Sequence, residues 1–170
     1  MQNNVISTTE FITPAQLLAH WQGHRHLTRR VVEAFPEDKL FDFSIGGMRP
    51  FSELVLELIR LTIVGAHGTA TGQWKDVEEL YAGDTKPTTK AGILRFWDDA
   101  TALLNEQWPS IRPERWQEMD AALGQYEGKV YSIMLYWLDN ENHHRGQGYV
   151  YLRALGIEPP FFWDRGQGNW

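Results

Sequence analysis

The sequence contains no cysteine. That excludes disulfide frameworks and thiolate metal sites, so any transition-metal site must draw on His, Asp, Glu or Asn. Positive charge is also scarce. Sixteen Lys and Arg stand against 22 Asp and Glu, for a net charge of −6. No basic patch interrupts this balance, which argues against a nucleic-acid partner and against an anionic membrane surface. No run approaches the roughly 18 consecutive apolar residues of a membrane span. Met1 to Glu10 shows no basic stretch followed by an apolar one, so it does not read as a signal peptide. There is no glycine-rich phosphate loop and no G-x-S-x-G nucleophile motif. These absences together point to a cytoplasmic globular protein.

What is present is aromatic and helical. Eight Trp and eight Phe in 170 residues are enough to fill one real core and furnish aromatic loops, so a single domain over 1–170 is expected. Thr13-Pro14 reads as a helix start, with Thr as the cap and Pro at the first position. Leu17, Trp21, His24, Thr28, Val31 and Phe35 then recur every three or four residues. The same reasoning gives helices over roughly 14–35, 50–71, 89–108 and 125–155, with a tail over 156–170. Gly156 suits a helix end, and Pro159-Pro160 makes the start of the tail non-helical. The rings of Phe161, Phe162 and Trp163 are expected to pack back on the body. Four long helical patterns with no convincing strand imply an all-α four-helix bundle. Long joins before the second and fourth helices permit a crossover connection.

The last helix carries an anomaly. Its apolar stripe, Val130, Ile133, Trp137, Tyr151 and Leu155, runs through Asn140 or Glu141, then His144 and Gly148. At about 100° per residue, polar side chains are thus aimed at the core, which is costly without a partner. Glu141-Asn142-His143-His144 contains Glu-x-x-His, a spacing that puts carboxylate and imidazole on one face. Glu57 lies on the apolar face of the second helix, beside Leu54, Leu61 and Val64. Glu57, His144 and either Asn140 or Glu141 can therefore form a three-ligand site for Zn, Mn, Fe or Ni. Arg145 and Gln147 would orient the ligands from behind, and His143 points elsewhere. The competing reading is a metal-free cluster in which Glu57 and Glu141 pair with Arg145 around His144. His20 and His24, four apart, have chelating spacing too, but their neighbours Arg25, His26, Arg29 and Arg30 read as a basic, partly exposed face.

His143-His144-Arg145-Gly146-Gln147, followed by Tyr151-Leu152-Arg153 and by Leu155-Gly156 and Pro159-Pro160, resembles the closing signature of the DinB/YfiT-like family. Ser52-Glu53-Leu54 at the second helix start fits as well. The resemblance implies a four-helix bundle with a crossover connection, often homodimeric. It also implies a three-histidine site for a divalent metal, commonly Zn or Ni. Some family members are thiol-dependent transferases or isomerases. This chain departs from that pattern: Asn140 and Glu57 stand where two of the family's histidines would be, and only His144 matches. The expectation is a metal-dependent hydrolase or thiol-transferase-like enzyme acting on a small molecule. The alternative is a metal-free dimeric bundle, stress-related, that binds a small ligand.

Overall fold

A computed structural model describes residues 11–166. The lead-in Met1 to Glu10 and the last tail residues, 167–170, lie outside the described residues. The chain is mostly helical, with α1 (Pro14–Ala34), α2 (Glu37–Asp42), α3 (Phe51–Thr71), α4 (Val77–Leu80), α5 (Lys90–Gln107) and α6 (Val130–Ala154). A two-stranded antiparallel hairpin, β1 (Met119–Ala122) and β2 (Tyr126–Lys129), precedes α6.

Local chemistry sets the helix ends. Thr13 caps α1 in a capping box: its side chain accepts from the Gln16 N–H, and the Gln16 side chain accepts from the Thr13 N–H. Thr89 caps α5 by accepting from the Gly92 N–H. α3 ends at Gly72, whose φ of 74° is open to glycine at little steric cost.

α1 packs on α5 and α6, and α3 packs on the same two helices. One apolar cluster joins α1, α3 and α5 through Val31, Phe51, Ile59 and Trp97. A second gathers Trp21, Trp108, Trp116 and Trp137 near the hairpin. α3 is long and apolar enough by composition alone to cross a membrane, which a count of unbroken apolar residues does not bring out. Most of that length is buried against its neighbours, as in the central helix of a packed domain.

Close approach of α3 and α6 depends on glycine. A Cβ added at Gly148 would lie 2.5 Å from the Phe51 ring, and one at Gly65 would run into Trp137. Gly148→Ala is therefore expected to destabilise the fold by about 1–3 kcal/mol through overpacking, read as a lower midpoint in chemical denaturation.

Three sequence expectations need correction. The fourth long helix starts at Val130, not near residue 125, because 126–129 pairs with 119–122. The hairpin turn uses Leu123 at φ 55° and Gly124 at φ 67°, rather than the Asn-Gly or Asp-Gly that marks such turns in sequence. Its strands, Met-Asp-Ala-Ala and Tyr-Glu-Gly-Lys, are also short of β-branched residues. The tail rings do not pack back: Phe161, Phe162 and Trp163 are exposed and stack on one another, with Phe161 and Trp163 centroids 4.8 Å apart. The tail is held instead by the Arg30–Asp164 ion pair at 3.0 Å.

Candidate functional site

The polar stretch of α6 divides between two neighbours. Residues 140 and 144 turn toward Glu57 of α3, while 141 and 145 turn toward α1. One helical face thus serves a half-open groove and the next serves the core.

In the groove, Glu57 of α3 meets two residues of α6. His144 Nε2 lies 3.1 Å from Glu57 Oε1, and Asn140 Nδ2 donates to the same oxygen at 3.2 Å. The Arg49 guanidinium donates to the other oxygen, Oε2, at 2.6 Å. Arg49 was not foreseen: it sits in the connector before α3, and Tyr151 steadies that backbone by donating its hydroxyl to the Arg49 carbonyl at 2.8 Å. His144 is buried, whereas the Glu57 side chain is 34% exposed. The expected convergence is present, but it lies at the edge of the α3 buried face and not at its middle. Burial raises the Glu57 carboxyl, and the hydrogen bonds from Arg49, Asn140 and His144 outweigh that, so it ends below the usual carboxylate range. Arg60, three residues beyond Glu57 on α3, donates instead to the Thr85 carbonyl.

Gln147 Oε1 is 3.1 Å from His144 Nδ1, and Gln147 Nε2 is 3.3 Å from the exposed His143. This has a chemical consequence. With the amide so oriented, Nδ1 of His144 carries the proton and donates to Gln147. A neutral ring then presents the Nε2 lone pair to a carboxylate oxygen, an arrangement that a divalent cation satisfies, as does a second proton on Nε2. With the amide reversed, Nε2 carries the proton and donates to Glu57, and the network closes without a metal.

Glu141 does not join this group. It is buried and accepts from Thr28 Oγ1 at 2.6 Å and Trp21 Nε1 at 3.0 Å. Arg25 and Arg145 lie 3.9 and 3.8 Å from its oxygens. Arg145 also donates to the Thr28 hydroxyl at 3.1 Å and to His24 Nδ1 at 2.9 Å. Arg25 is wholly buried over the Trp97 ring, 4.0 Å from its centroid, and donates to Thr62 and Thr101. The basic face expected on α1 is thus partly interior: Arg25 and His24 are buried, and only their neighbours reach water. Burial pulls Arg25 down to about 10 against the opposing pull of Glu141, so it stays charged at neutral pH. Arg145 therefore holds Glu141 and α1 together, not the groove ligands.

The sequence model of the DinB family matches residues 1–166. The chain belongs to the DinB family. A DinB-like protein from Bacillus subtilis superposes with a TM-score of 0.71 at 18% identity, covering 86% of this chain and 97% of that one. A DinB-like protein from Bacillus cereus gives 0.68 at 18% identity, covering 88% and 97%. At that identity the likeness speaks for the fold. No curated protein matches.

Among the described residues, no three His, Cys, Asp or Glu side chains gather as a metal site. In this DinB family member the groove offers one carboxylate, one imidazole and one amide. Such a set fits a divalent ion of borderline hardness that completes its shell with water. Asn140 would have to turn its amide to present Oδ1. Arg49 already holds Glu57 so that a single oxygen faces the other two groups, as a partner behind a metal ligand does.

Proposed function

We propose that this chain is a four-helix bundle with a crossover connection that binds a divalent cation in the α3/α6 groove and acts as a metal-dependent enzyme of the hydrolase or thiol-transferase-like kind. The observation that carries this reading is the convergence of Asn140 and His144, from α6, on one oxygen of Glu57, from α3. Family membership supports it. Glu57 Oε1, His144 Nε2 and the Asn140 amide oxygen would hold the ion. Zn, Ni, Mn and Fe all accept such donors. When bound, the ion would supply Lewis acidity to a water or thiol in an open position. The chain's own contribution is to position. Gln147 fixes the ring of His144, Arg49 fixes the carboxylate, and Gly148 lets α6 approach α3 closely enough for the two to meet. The partial exposure of Glu57 and Arg49 leaves the groove accessible to a small molecule.

A second reading rests on Arg49. Its guanidinium already neutralises Glu57, so Arg49, Glu57, Asn140 and His144 can form a closed network in a metal-free bundle that binds a small ligand. The two readings part in a simple experiment. Tag-free protein stripped with chelator is titrated with Zn, Ni and Mn while its unfolding temperature is followed. The metal reading expects a saturable rise that His144→Ala and Glu57→Gln both abolish. An unchanged midpoint with all three ions would leave only the metal-free network.

A further inference from the structure

On the opposite side of α6, two histidines and two arginines meet in an arrangement that the groove chemistry does not use. His24 Nε2 and His20 Nε2 face each other at 3.1 Å. The Arg145 guanidinium donates to His24 Nδ1 at 2.9 Å. Arg165, from the tail, brings its guanidinium nitrogen to 3.4 Å from His20 Nδ1.

Proton placement follows in order. A guanidinium can only donate, so His24 Nδ1 is an acceptor. A neutral imidazole then carries its proton on the other nitrogen, and His24 Nε2–H points at His20. His20 Nε2 accepts it, which leaves the His20 proton on Nδ1. That N–H points at Arg165, which also only donates. Protonating His20 does not relieve this, because Nδ1 remains a donor in the imidazolium. Both histidines are shifted toward the neutral form: His24 falls to about 3, through burial and then the charges of Arg145, Arg165 and His20, and His20 falls through burial and then Arg165. The same sequence disfavours a metal between the two rings, since one of the facing nitrogens holds a proton.

Two donors that converge without an acceptor describe a place for an anion. Its surroundings are positive in a chain whose net charge is −6. Arg30 lies nearby, and its charge is taken up by Asp164 of the same tail. The Tyr149 hydroxyl, one turn beyond Arg145, is buried with no hydrogen-bond partner among the described residues. Arg145, Arg30 and Arg153 lie close enough to act on that hydroxyl.

We infer that the junction of α1, α6 and the C-terminal tail is an oxyanion-binding site, in which a carboxylate or phosphate group of a small molecule bridges His20 Nδ1–H and the Arg165 guanidinium. Arg145 and His24 do not touch the anion; they set the tautomer that aims His20 at it. The tail is part of the site because it carries Arg165 and is pinned to α1 by Arg30 and Asp164.

The test uses the full chain labelled with nitrogen-15. Inorganic phosphate and succinate are titrated separately at constant ionic strength, and the His20 ring and Arg165 side-chain signals are followed. At least one oxyanion should shift both signals saturably, and the stronger binder names the class. Arg165→Gln should weaken that binding by roughly tenfold, and Arg95→Gln, at a remote site, should leave it unchanged. Arg165 is half-exposed, so this variant keeps the fold even where a His20 variant does not. Absence of a saturable shift with either anion, or binding that survives Arg165→Gln at full strength, would overturn the site.

Discussion

Glu141→Gln is expected to destabilise the protein by about 3–5 kcal/mol, the range for removing one partner of a buried charge cluster. Gln has nearly the volume of Glu, so no cavity contributes. What changes is charge and hydrogen-bond polarity. Arg25 and Arg145 keep their positive charges inside the bundle and lose the one buried carboxylate lying between them. Trp21 can only donate and keeps the amide oxygen, while the Thr28 hydroxyl must turn its proton to the His24 carbonyl, 3.0 Å away, and accept from the new NH2 group. Urea denaturation followed by tryptophan fluorescence reads the loss directly. A loss under about 1 kcal/mol would mean that water reaches the cluster and that the two guanidinium groups are solvated. Arg25 at 1% exposure makes that outcome inconsistent with the structure.

The second large effect is acid sensitivity centred on His24. Its folded-state value is pushed down to about 3, by burial first and then by Arg145, Arg165 and His20. An unfolded histidine titrates near 6.5. Below that pH the unfolded chain takes up a proton that the folded chain refuses, so stability is intact above about 6.5 and is lost as the pH falls toward 3. The full shift corresponds to about 4–5 kcal/mol; local rearrangement that lets water reach the protonated ring reduces the expected loss to about 2–4 kcal/mol. Glu57 adds to the lower part of this window. Its folded value is depressed, so its contribution is present above the ordinary glutamate range and is lost as the pH drops through the folded value. The variant His24→Gln should reduce the slope of the stability profile between pH 6.5 and 5 and leave the smaller part due to His20 and His67, which are also shifted down. An unchanged slope in that variant would assign the acid sensitivity to another group.

The helices were legible because their signals are local. Thr13-Pro14, Thr89 and Gly156 are positioned by chemistry within a turn of themselves, and the apolar spacing between them needs no tertiary information. The meeting of Glu57 and His144 was legible for a different reason: each is a polar group on a stripe that is otherwise apolar, and such groups need a partner. Three features escaped. The choice between Asn140 and Glu141 depends on which neighbour each face of α6 meets, and one residue turns the helix by about 100°. Glu141 is claimed by Trp21 and Thr28 of α1, whose donors read in sequence as an ordinary core tryptophan and threonine. Arg49 escaped because it lies in a connector, where no periodicity applies, and its place is fixed by tertiary contacts, from Tyr151 to its carbonyl and from its guanidinium to Glu57. The hairpin ahead of α6 was hidden for a related reason. A leucine in a left-handed turn conformation carries no turn signature, and packing against the core stabilises it there.

A cation held between His144 Nε2 and Glu57 Oε1 requires an Nε2 without a proton, so the proton position on His144 decides whether one can bind there. Long-range nitrogen-15 to carbon-bound-proton correlations distinguish the two ring nitrogens of His144 before and after Zn is added to metal-free protein. The expected result is a proton on Nδ1, donated to Gln147, and a shift of Nε2 on metal addition that His143 does not share. A proton fixed on Nε2, unmoved by a stoichiometric excess of Zn, would contradict it and leave Glu57 and His144 as a metal-free hydrogen-bonded pair.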